Sequence, residues 1–183
     1  MSTGLTTSSA VEAAPAARLG IAQQIVAFVE VLLLGVWLGS MMFFSFAVAP
    51  GAFAVLPTRE MAGVMVTSSI GKIEALGLVL GIVLIAIHAA TWRTRASSRA
   101  VKTLRAVLIL VMIGAAALSR FWISPDMVSL RAQMGGHIDD VALTDPMRIQ
   151  FNDLHQYSVG LMSAAMISGL VVLFLTVRSL VKR

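Results

Sequence analysis

Six polar side chains set inside apolar surroundings are the residues of this chain that can do chemistry: Glu30, Glu74, His88, Arg120, Asp153 and His155. Ionisable groups in such surroundings are costly and face a partner, a cavity or a pathway. Glu30 has no basic residue close to it in sequence, and His88 is its expected partner. Such a pair relays protons, unless burial simply leaves Glu30 protonated. Glu74, Arg120, Asp153 and His155 each fall within a turn or two of one end of an apolar stretch, so they are expected to meet. This meeting has two readings: a polar entry site for protons or ions, or a structural clasp in which Arg120 is paired with Glu74 or Asp153.

Two cofactor chemistries compete with these readings. Neutral imidazole from a membrane helix is a usual axial ligand of haem b, and His88 and His155 are the candidates. They lie near opposite ends of their helices, roughly 20 Å apart at 1.5 Å rise per residue. Two axial nitrogens on one iron sit only about 4 Å apart. A single haem held by both is excluded, which leaves a one-histidine site or a hydrogen-bonded core histidine. The second chemistry is Cu(I), which thioethers select. Met41, Met42, Met162 and Met166 fall at comparable depth, with His155 above them. The competing reading of these methionines is flexible core packing.

Four apolar stretches position these groups, over about 24–49, 73–92, 104–123 and 152–177. Each approaches the roughly 20 residues that an α-helix needs to cross about 30 Å of hydrocarbon. Hydrophobic residues make up 58% of the chain and charged ones only 13%, about half the usual share of a soluble domain. The expected fold is an all-α integral membrane protein, a bundle of four transmembrane helices. The domain plan is a flexible tail over 1–20 and a transmembrane domain over 21–183.

Punctuation between the spans adds two elements. Pro50 and Pro57 are expected to stop regular helix, and Thr58 to cap a half-polar helix, TREMAGVMVTSSIG, lying at the outer interface. The 124–150 connection is too long for a plain turn. Ser124 with Pro125 reads as a helix start, Gly135 and Gly136 as a stop, and Asp145 with Pro146 as a second start, giving a structured loop before the fourth span. Within the second span, Glu74, Gly77, Gly81, Leu84 and His88 recur at spacings of three and four, a stripe expected to face the bundle interior.

Charge sets the orientation. Nine of the fourteen basic residues fall at the two termini and in the 93–105 loop. The positive-inside rule puts those regions in the cytoplasm and makes the chain a multi-pass membrane protein. Its net charge of +5 then addresses anionic lipid, not nucleic acid. Membrane lipids, a second copy of the chain or other membrane subunits are the expected partners. Without cysteine, the chain has no disulfide, thiolate zinc site, iron–sulfur ligation or cysteine nucleophile. It also lacks a phosphate-binding glycine loop, a zinc-protease HExxH and a nucleophile elbow.

The segments GVWLGSMMFFSFAVAPGAFAVLP, SRFWISPDMVSLRAQM and FNDLHQYSVGLMS resemble the bacterial domain-of-unknown-function group DUF4149, related to transmembrane protein 205. That group is distantly similar to the copper-resistance D superfamily of four-helix membrane proteins. The resemblance implies the four-helix fold and the same haem and copper chemistries, and it supplies no catalytic residue. The sequence therefore points to a non-enzymatic role as an accessory, stress-associated or transport-related component. The alternative is a haem- or copper-handling protein of the copper-resistance D type.

Orientation is directly testable. Reporters fused after Arg183 and placed between Arg95 and Arg99 should both register cytoplasm, and one near Gly135 the outside. The opposite pattern inverts the assignment.

Overall fold

Two helical hairpins close into a ring. The computed structural model describes residues 20–95, 97–135 and 138–181, and the expectations for the 1–20 tail (apart from Gly20), Gly136, Lys182 and Arg183 lie outside them. Helix α1 (Ile21–Phe43) runs through a π-helical turn, Phe44–Val48, into α2 (Ala49–Val55). Helix α3 (Arg59–Ala90) returns. Helix α4 (Arg99–Leu118) runs through a second π turn, Ser119–Ile123, into α5 (Ser124–Gln133). A short 3-10 turn (Ile138–Asp140) then leads to α6 (Pro146–Val181). The four resulting rods, Ile21–Val55, Arg59–Ala90, Arg99–Gln133 and Pro146–Leu180, are each long and apolar enough to span a membrane. Helix α1 packs on α3 and α6, and α4 packs on the same two. That is an up-down-up-down bundle.

Pro50 does not stop its helix as expected. Its ring would clash with a carbonyl one turn back and it has no N–H to donate. The π turn just before it widens the ladder and removes both conflicts. Pro125 is preceded by the same device. A phenylalanine stands four residues before each proline, in FAVAP and FWISP. Ser124 is accordingly a helical residue, not a cap. Helix α2 ends at Val55, and the chain breaks over 56–58, around Pro57.

Thr58 caps α3 as expected, its Oγ1 accepting from the Met61 amide at 3.2 Å. The segment after it is not a separate interfacial helix. Residues 59–72 continue without a break into the second span, because nothing between Arg59 and Ala90 interrupts the hydrogen-bond ladder. The long connection before α6 is structured, as expected. Gly135 takes φ +71, a left-handed stop open to glycine. Asp145 Oδ1 accepts from the Met147 amide at 2.8 Å to start α6.

Trp37 is the wedge of the core. A Cβ placed on Gly77 of α3 would lie 2.7 Å from its Nε1, and one on Gly169 of α6 would lie 3.1 Å from its ring. Gly81 admits Ile113 of α4 in the same way, at 2.5 Å. Around these contacts pack Leu34, Leu38, Met41, Leu84, Ile109 and Met112. All five residues of the predicted α3 stripe are buried. The opposite surfaces carry exposed Phe28, Phe46, Val79, Leu110, Ile167 and Phe174, an apolar outside suited to lipid. Gly35 and Gly39 belong to that outside, with nothing facing them.

Leucine at Gly77 or Gly81 must therefore displace Trp37 or Ile113, and overpacking of this kind costs about 1–3 kcal/mol. Both variants should melt earlier in detergent, while Gly35→Leu leaves the midpoint unchanged. Equal melting of all three would mean that the α3 stripe does not pack.

Candidate functional site

The chemistry-bearing residues collect at three levels of the bundle. The first lies at the end that carries the 91–98 connection, here the basic end. Glu30 of α1 is fully buried. Its Oε1 accepts from Arg95 Nη2 at 2.5 Å and lies 2.9 Å from Arg105 Nη2. Arg105 itself is only 3% exposed. Arg95 also donates through Nε to Thr91 Oγ1 at 2.8 Å. His88, 2% exposed, sits beside this cluster and meets the Trp92 ring at right angles, 5.3 Å between centroids. Lys102 closes the level, donating to the Trp92 carbonyl at 2.6 Å and lying over the Trp92 ring.

The expected Glu30–His88 pair is thus corrected. The carboxylate is held by two arginines, and neither ring nitrogen of His88 has a hydrogen-bond partner in the protein. A guanidinium binds carboxylate far better than neutral imidazole does. The partners were hidden because they come from the 91–98 connection and the start of α4, where the sequence reads them as topology signals. Only a helix-level match of depth could have paired Glu30 with Arg105. One carboxylate against two guanidiniums leaves the cluster with an excess positive charge. Glu30 Oε2 and Arg105 Nε remain without hydrogen-bond partners in the protein. Arg95 reaches from the cluster to a cavity of about 240 Å³ lined also by Gln23, Thr91, Thr94 and Ser179.

The second level lies deeper. Glu74 Oε1 accepts from Ser119 Oγ at 2.5 Å, in a cavity of about 30 Å³ that also touches Trp37, Met41 and Met162. Arg120 does not form the expected clasp with Asp153. It donates through Nη1 to the Gly71 carbonyl at 2.7 Å, while Asp153 is exposed on α6. Ser119 takes the hydrogen-bonding place given to Arg120 against Glu74, since the π turn re-aims the residues beyond Leu118, while the Arg120 charge still acts on that carboxyl.

The third level is a charged vestibule of about 400 Å³ at the opposite end, lined by Arg59, Glu60, Arg131, Asp139, Arg148 and His155 among others. Arg59 Nε pairs with Asp139 Oδ2 at 3.1 Å. Arg148 pins the loop by donating to the carbonyls of Ile138 and Val141 at 2.5 and 2.7 Å. Arg131 lies over the Phe151 ring, in space that Gly63 leaves open. His155 belongs here, exposed, at the end of the bundle away from His88, so the two histidines cannot serve one haem.

The five-residue copper set is likewise divided. Met41 and Met162 meet at the second level, Met42 is exposed, and Met166 packs against the core. His155 lies in the vestibule. Adjacent Met41 and Met42 point about 100° apart on a helix, and His155 is about two turns from Met162, so the five cannot converge. Among the described residues, no group of three or more histidine, aspartate or glutamate side chains is clustered as metal ligands are.

The domain of unknown function DUF4149 matches residues 32–136, more than half of the chain. The chain belongs to this family. The match takes in the stripe of α3, Trp37, Glu74 and Ser119 of the second level, and both Arg95 and Arg105, and it leaves out Glu30 and all of α6. No curated protein and no solved structure matches.

The buried carboxylate gives a direct test. Arg105→Ala removes one of the two guanidiniums that hold Glu30 and leaves the carboxylate to Arg95 alone. It should destabilise the protein by less than a fully unpaired buried charge costs, which is about 3–5 kcal/mol. Arg120→Ala loses one charged donor to a neutral carbonyl, worth about 1.5–3 kcal/mol. In denaturation in detergent, Glu30→Ala combined with Arg105→Ala should cost less than the sum of the two single changes. Strict additivity would show that the pair is not coupled.

Proposed function

We propose that this DUF4149 member is a non-enzymatic, transport-related component of the bacterial inner membrane, with its basic end cytoplasmic, and that it handles a small anion. The observation that carries this reading is the buried cluster of Glu30, Arg95 and Arg105. Charge buried within apolar helices marks a functional site by default. Here the charges do not cancel, and an anion entering the cavity beside Arg95 would supply the missing negative charge. Hydroxyls of Thr91, Thr94 and Ser179 line the same cavity and can donate to it. The vestibule at the opposite end offers a polar mouth, and the apolar layer of Leu34, Leu84, Ile109 and Met112 separates the two. Release across that layer would need the Glu30 lock to open. Lipid is the natural partner of the apolar outer surface, and a second copy of the chain or another subunit can share it.

The experiment is anion release from liposomes containing the full chain, loaded in turn with chloride, nitrate or phosphate. At least one anion should leave faster than from protein-free vesicles. Arg95→Gln should slow it by about an order of magnitude, the effect of losing roughly 1.4 kcal/mol of anion stabilisation. If wild-type protein releases none of them, the transport reading fails and an accessory role replaces it. An absorption spectrum and metal analysis of the same preparation test the haem and copper alternative.

A further inference from the structure

The cavity at the second level has a chemistry of its own. It is lined by α1, α3, α4, α6 and the second π turn, and its volume is about 30 Å³. Two of its lining residues carry polar atoms with no partner in the protein. Trp37 is 3% exposed and its Nε1–H donates to nothing, while Glu74 is 8% exposed and its Oε2 makes no hydrogen bond, although the Ser124 hydroxyl and the Arg120 charge lie near the carboxyl. One is a donor and the other an acceptor, and both line the same space. Trp37 Nε1 lies against Gly77, one turn along α3 from Glu74.

We infer that this cavity is a hydration site in which ordered water bridges the Trp37 indole N–H and the Glu74 carboxyl. The space suffices, since one water needs about 10–15 Å³ and 2–4 polar partners. Trp37 Nε1–H and Glu74 Oε2 provide two. Ser119 Oγ provides a third, because its hydrogen goes to Glu74 Oε1 and its lone pairs stay available. Leaving both groups dry would cost the desolvation of each unsatisfied atom. The remaining walls, among them Ile73, Ala115 and Leu161, are apolar, so the water is confined to the polar edge.

Hydration changes what Glu74 can do. A carboxyl beside water passes its proton to that water or takes one from it. A carboxyl in a dry apolar cavity has no such partner. The bridge also explains the local sequence pattern in physical terms. Gly77 lets the indole nitrogen come against α3 one turn from the acid, and Ala115 and Ala116 leave the space that larger side chains would fill. Anion flux and hydration of this cavity are independent, so failure of one leaves the other standing.

The test is nuclear magnetic resonance on the full chain in nanodiscs with ¹⁵N-labelled indoles. The chain has three tryptophans, Trp37, Trp92 and Trp122, and Trp→Phe changes assign their indole signals. The Trp37 indole proton should show a dipolar cross-peak to water whose sign reports a long-lived molecule. Glu74→Gln, which keeps an acceptor oxygen, should preserve the cross-peak, and Glu74→Leu should abolish it. Ala115→Val fills the space from α4 without touching either polar group, and should abolish it too. A wild-type Trp37 indole with no water cross-peak would mean a dry cavity or a direct bond to Glu74, and either overturns the inference. So would a cross-peak that survives unchanged in Glu74→Leu or Ala115→Val.

Discussion

A carboxylate that has left water must be repaid by partners within a few ångströms, and at Glu30 this requirement organises the basic end of the bundle. Its two guanidinium partners arrive from different places, Arg95 from the connection after α3 and Arg105 from the first turns of α4. Satisfying one acid therefore fixes the height of α1 against α4 and folds the connection back over the helix ends. Thr91 and Trp92 complete the arrangement by holding Arg95 and Lys102. An apolar bundle in lipid has little hydrophobic force to set the register of its helices, since the tails outside are as apolar as the core. Polar contacts and close backbone approach must do it instead.

Close approach is the second half of that answer. Trp37 occupies space that exists only because Gly77 and Gly169 have no side chains. Its indole brings a polar N–H into the middle of the bundle, where Glu74 is the nearest acid along α3. Packing and polarity are thus coupled at one residue. The same coupling is repeated in the rods themselves. Each π turn before a proline keeps the helix going while rotating the residues beyond it about the helix axis. In the third rod that rotation places Ser119 against Glu74 and sends Arg120 to the Gly71 carbonyl.

The bundle is polar at both ends and at one point between, with contrasting chemistry at each. The basic end carries unbalanced positive charge beside an open cavity. The vestibule mixes three arginines with acids that pair with them, and its loop is pinned by Arg148. Between these ends stands an apolar layer. This distribution is the ground on which the proposed transport-related role rests.

Much of this was legible in the residues alone. Span number and rough span limits follow from the length of the apolar runs, because a helix must hide its backbone from lipid over about 30 Å. The buried α3 stripe follows from the 3.6-residue period and from small residues sharing a face with an acid and a histidine. The Thr58 cap and the Asp145 start follow from local hydrogen-bond chemistry. Tertiary structure decided the pairings. Nothing in one dimension says that Arg95 and Arg105 rather than His88 reach Glu30, or that Ser119 rather than Arg120 meets Glu74. Nor does it say that Met42 faces away from Met41's cavity. These depend on the rotation of each helix about its axis, which two π turns alter and which apolar side chains, equally content against lipid or core, do not encode.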